Sequence, residues 1–61
     1  MPTKINFLGG KDVTVGDEPE DVSEAFRNGA ERPVRLITTG GGVIFANWAN
    51  VLYIEEAFAA V

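Results

Sequence analysis

Polar and apolar residues alternate from Lys4 to Leu8, with Ile5 and Phe7 on one side and Lys4 and Asn6 on the other. Gly9-Gly10 interrupts the run, and alternation resumes from Asp12 to Val15 with Val13 and Val15 apolar. Two period-2 segments around a glycine pair predict a β-hairpin. A two-residue Gly9-Gly10 loop would set Phe7 opposite Asp12 and put an acid on the apolar side. An odd loop, such as Gly9-Gly10-Lys11, sets Phe7 opposite Val13 and Ile5 opposite Val15. Because a slip of one residue turns every side chain over, the odd loop is expected.

The period then changes. Asp17 followed three positions later by Glu20 has the form of a capping box, and Pro19 suits the first helical turn. Glu18, Glu20 and Asp21 gather where a helix dipole is positive, and Arg27 lies near the other end. Val22, Ala25, Phe26 and Gly29 follow i, i+3, i+4, i+7 spacing, a single narrow apolar stripe. Asn28-Gly29 is a stop signal. A helix over about Glu18 to Asn28 is predicted.

Pro33 returns the chain to extended structure. Val34 to Thr39 and Val43 to Ala46 flank Gly40-Gly41-Gly42 and predict a second hairpin. With Gly40-Gly41 as a two-residue loop, Leu36 faces Phe45 and Thr38 faces Val43, with Val34 on the same side. Ile37 then pairs with Ile44 on the other side, so both faces are partly apolar. Asn47 to Asn50 turns the chain into a last strand, Val51 to Glu55. Residues 57–61 form either a short helix or a frayed tail. Val51-Leu52-Tyr53-Ile54-Glu55 resembles a strand of LytTR-type DNA-binding domains. The resemblance covers five residues, and no functional residue is carried over from it.

The expected fold class is α+β: one domain over residues 1–61, with elements in the order β-β-α-β-β-β. A single-layer, mostly antiparallel sheet would carry the helix on one face. Its core would be Ile5, Phe7, Val13, Val15, Val22, Phe26, Val34, Leu36 and Phe45.

Composition narrows the function. At 61 residues the chain is small enough for its stability to be marginal, and such scaffolds lean on disulfides, metals or partner chains. With neither Cys nor His, disulfides and the usual zinc sites are excluded. No cofactor and no metal are expected. The lack of Cys fits a reducing cytoplasm, no basic stretch leads into an apolar run at Met1, and the apolar runs are shorter than the ~20 residues of a membrane span. A cytoplasmic protein without a membrane segment is the expectation.

Candidate chemistry is sparse. Ser23 has no base in sequence reach, and neighbours Glu55 and Glu56 point to opposite faces of a strand. Glu18, Glu20, Asp21 and Glu24 are explained by solvation and the helix dipole, and both glycine stretches lead into strands rather than into the helix start a phosphate cradle requires. No enzymatic activity is expected. If the helix covers the Leu36/Phe45 face, then Ile37, Ile44, Leu52 and Ile54 form an outward apolar face, with Phe58 of the tail beside it or folded over it. Such a patch on a small protein marks an interface. The expected function is therefore a protein-interaction or regulatory module that associates with itself, as a homodimer or higher oligomer, or with another protein. The alternative is a nucleic-acid-binding accessory protein using Arg32, Arg35, Trp48 and Tyr53. Nine acids against five bases, a formal charge of −4, argue against it.

Overall fold

A computed structural model describes residues 1–57. The expectations for Phe58 and the rest of the tail fall outside them. The described chain runs β1 (Thr3–Phe7), β2 (Asp12–Val15), α1 (Pro19–Asn28), β3 (Val34–Ile37), β4 (Val43–Ala46), a 3-10 turn (Trp48–Asn50) and β5 (Val51–Glu56). The α+β class and the element order are those anticipated. All strand pairs are antiparallel. They form a three-stranded sheet in the order β2-β1-β5 and a two-stranded sheet of β3 and β4. One bridge, Val15 to Thr38, joins the sheets, supported by Thr39 N–H to Thr14 O at 3.0 Å and Gly16 N–H to Ile37 O at 3.4 Å.

The helix begins at Pro19, whose fixed φ suits a first turn. The anticipated capping box does not form. Glu18 rather than Asp17 is the cap residue, and no side chain caps the helix. Asp17 contributes its carbonyl instead, accepting a 2.7 Å hydrogen bond from the hydroxyl of Thr3. Thr3 is fully buried, and this bond satisfies it while tying the start of β1 to the helix entry. Val22 and Phe26 of α1 are fully buried, as the stripe requires, and α1 packs against β5. At the far end Gly29 donates to Ala25 O. A methyl group on Gly29 would lie 3.1 Å from Val34, so a small residue lets β3 pass close to the helix end.

The core comprises Ile5, Val15, Val22, Phe26, Leu36 and Ala46, with Phe7, Val13, Val34, Ile44, Val51 and Ile54 packed against it. Phe45, expected inside, is 67% exposed. That correction traces to the second loop. Leu36 pairs with Ile44 and Ile37 with Val43, so the loop is one residue longer than a two-residue glycine turn. Gly41 N–H bonds to Thr38 O at 2.9 Å, Thr38 N–H to Gly42 O at 2.7 Å, and Gly41 alone in this loop has positive φ, +89°. This is a three-residue connection in which a turn is followed by one left-handed glycine. The extra residue turns β4 over, sending Ile44 and Ala46 inward and Val43 and Phe45 outward.

The first hairpin keeps the parity argued from sequence but shifts by two. Ile5 faces Val13 and Thr3 faces Val15, closing on the three-residue loop Leu8-Gly9-Gly10 rather than Gly9-Gly10-Lys11. Gly9, third in the Phe7–Gly10 turn, has φ +94°, the left-handed value a type II turn requires there. Even shifts preserve faces, so Ile5, Val13 and Val15 remain on the core side.

Since Gly41 is left-handed while neighbouring Gly40 is not, and space is open at both, two alanine variants separate conformation from packing. Gly41→Ala should lower unfolding free energy by about 1–2 kcal/mol, whereas Gly40→Ala should be close to neutral. Urea titration followed by Trp48 fluorescence reads both, and equal effects would contradict the loop described.

Candidate interaction surface

The inverted β4 produces the most unusual surface of the molecule. On the outer face of the β3–β4 sheet, Ile37 stands opposite Val43 and Arg35 opposite Phe45. Ile37 and Val43 are each 50% exposed and Phe45 67%. Three large apolar side chains thus share one face of two short strands.

Beside this face lies a groove of about 660 Å³. One wall is the turn of the first hairpin, with Phe7, Leu8 and Val13. The other is Ile44, Phe45 and Ala46 of β4. Successive strand residues point to opposite faces, so a groove touching all three follows the edge of the strand. Leu8 N–H to Asn50 O at 2.8 Å fastens the turn to the segment leading into β5.

The backbone of that edge can be assigned. Thr38 and Gly42 are a hydrogen-bonded pair, and antiparallel ladders alternate hydrogen-bonded and non-bonded pairs. Ile44 and Ala46 therefore direct their backbone groups toward β3, and Val43 and Phe45 direct theirs away from it. Among the described residues no strand pairs with that side of β4.

Of the interface residues anticipated from sequence, Ile37 and Leu52 are exposed, Leu52 at 62%. Ile44 and Ile54 are not outward: both pack against the core. For Ile44 the cause is the slipped register. For Ile54 it is pairing with Ile5 on the buried face of β1. An irregularity then shifts the register, so that Asn6 faces Tyr53 while Phe7 faces Val51, and Leu52 is the residue passed over. Phe58 lies outside the described residues. The residues missed were Val43 and Phe45, which the expected two-residue loop had turned inward.

The outer face of the three-stranded sheet is polar, so no apolar surface runs across both sheets. Lys4, Asn6, Asp12, Thr14, Tyr53 and Glu55 occupy it by register. Asn6 donates to Glu55 at 2.9 Å, and Lys4 lies 4.0 Å from Asp12.

The residues of the nucleic-acid alternative are dispersed. Trp48 packs on Phe26 with ring centroids 5.1 Å apart and interplanar angle 31°, closing the end of the core while 42% exposed. Tyr53 stands opposite Asn6, on the sheet that carries Asp12 and Glu55. Arg35 is on the other sheet, opposite Phe45, and Arg32 is in the loop after α1. No basic, aromatic track joins them. Among the described residues no group of three or more acids is placed to hold a metal ion, and no helix is long and apolar enough to cross a membrane. No family model, curated protein or solved structure matches the chain.

Adjacent residues of β4 should respond oppositely to charge. Ile44→Lys places an ammonium against the core and should cost about 2–5 kcal/mol, comparable to deleting a buried aliphatic side chain. At a protein concentration low enough for the chain to be monomeric, Phe45→Lys should stay within about 0.5 kcal/mol of the parent, as surface changes do. Thermal unfolding by circular dichroism distinguishes the pair, and the reverse ranking would restore the register expected from sequence.

Proposed function

We propose that this chain is a small, non-catalytic protein-interaction module that works through the outer face of β3–β4 and the adjoining edge of β4. The carrying observation is the joint exposure of Ile37, Val43 and Phe45 on one face of a two-stranded sheet. A chain this short has little apolar material to spare. Leaving three large apolar side chains in water while Ala46 and Ile44 take the inner positions is costly unless another surface covers them. Composition supports the same reading, because neither Cys nor His is present to act as nucleophile or general base.

Charge supports it as well. Arg35 is the charged residue in register with the apolar group on this face. A partner meets apolar side chains and Arg35 on the face, with Lys11 and Asp12 lining the groove beside it.

The test compares the parent with Phe45→Lys and Ile37→Lys by light scattering up to millimolar concentration, and by capture of proteins from an extract of the source cells. Loss in both variants of self-association, or of one defined captured protein, with an unchanged circular dichroism spectrum, is the expected result. Associations that survive both substitutions, or an absence of any association, would rule the reading out.

A further inference from the structure

The outer face of β3–β4 and the β4 edge accept one partner in particular, provided they act as the interaction surface proposed above. We infer that the occupant of the β4 edge is a second copy of this chain, paired antiparallel through β4 about a two-fold axis at Ile44.

The backbone provides the first argument. Val43 and Phe45 present N–H and C=O groups on the side of β4 away from β3, with Ile44 between them. A two-fold axis at Ile44 sets Val43 of each copy against Phe45 of the other. All outward groups of the two residues are then matched in two hydrogen-bonded pairs, and the two Ile44 residues form the non-bonded pair between them. The match is self-complementary and closes as a dimer, with no unpaired β4 edge left to propagate.

Side chains agree with that register. On the outer face Val43 of one copy lies beside Phe45 of the other, an aromatic–β-branched pair of the kind that stabilises sheets. Ile37, Val43 and Phe45 of both copies merge into one continuous apolar strip across four strands. On the inner face the two Ile44 residues, each packed against its own core and lining its own groove, stand opposite each other.

Charge distinguishes this edge from the other end of the strand array. β5 ends in Glu55-Glu56, and two acids on an edge strand of a −4 protein oppose pairing with an identical strand. β4 is Val-Ile-Phe-Ala, with no charge and no proline, flanked by Gly42 and Asn47. An acidic protein can meet its copy along this strand without placing like charges opposite each other.

The native chain has no cysteine, so any disulfide in a single-cysteine variant is intermolecular. At a non-bonded antiparallel pair the two Cα atoms are about 4.5 Å apart, within the range a disulfide spans. Under mild oxidation Ile44→Cys should form the covalent dimer at least about tenfold faster than Val43→Cys. Random collision predicts the opposite order, because Val43 is the more exposed of the two. A faster or equal rate for Val43→Cys overturns the proposal. Should Ile44→Cys fail to fold, amide hydrogen exchange on the unmodified protein decides. Protection at Val43 and Phe45 that rises with concentration supports the pairing, and concentration-independent exchange at both refutes it. If these tests fail while a captured protein is still lost on Phe45→Lys, the interaction surface stands and its occupant is a different chain.

Discussion

The two sheets of this fold are joined by a backbone seam one bridge long. Val15, with no exposed surface, ends the second strand and meets Thr38 just beyond the third. Two neighbouring backbone hydrogen bonds extend the contact. Through it the three-stranded and two-stranded sheets meet as one wall, the end of β2 bridged to the residue after β3. A lone two-stranded hairpin is marginal in water, so β3 and β4 need this attachment and the packing of Leu36 and Ala46 behind it. The helix completes the arrangement by adding Val22 and Phe26 to the core, and Trp48 packs on Phe26.

The two surfaces of the wall divide between solvent and contact. Lys4, Asn6, Asp12, Thr14 and Glu55 make the outer side of the larger sheet polar, with short-range pairing among its charges. Ile37, Val43 and Phe45 make the smaller sheet apolar. The segregation follows the sheets, with the polar face on the piece fixed by three strands and the apolar face on the piece held by two. That asymmetry supports the interaction reading more than the total apolar content does, since scattered surface hydrophobes are ordinary.

Much of this was legible in the residues. Strand and helix periods, a helix over about Glu18 to Asn28, the Asn28-Gly29 stop and eight of the nine expected core side chains follow from local pattern, which β1, β2 and α1 obey because each has one apolar side. Beyond the absent capping box and the shifted first hairpin, three further features were not legible, and each has a physical cause. Val-Ile-Phe-Ala is apolar on both sides, so its pattern cannot select a register, and the choice fell to a turn among three consecutive glycines. The irregularity at Leu52 breaks strict alternation in β5 and lets Val51 and Ile54, three apart, both reach the core. Thr3 gave no hint of burial, because its partner is a backbone carbonyl fourteen positions away. The interface residues inherited the β4 ambiguity: Ile44 was assigned to the outside and Phe45 to the inside by the same one-residue slip.

The second glycine loop sets more than a turn. The number of residues it commits to the turn decides which half of β4 the protein shows to its surroundings. Deleting one glycine would shorten Thr39-Gly40-Gly41 to a two-residue turn with Thr38 still opposite Gly42, so Leu36 would still face Ile44 and the same side of β4 would stay outward. Eversion requires the pairing itself to slip, with Gly40-Gly41 as the turn and Leu36 opposite Phe45, withdrawing Val43 and Phe45 and displaying Ile44 and Ala46. Because both sets are apolar, the slipped strand still has side chains able to occupy the interior. The left-handed Gly41 is thus the residue that keeps one of two apolar surfaces on show and the other in reserve.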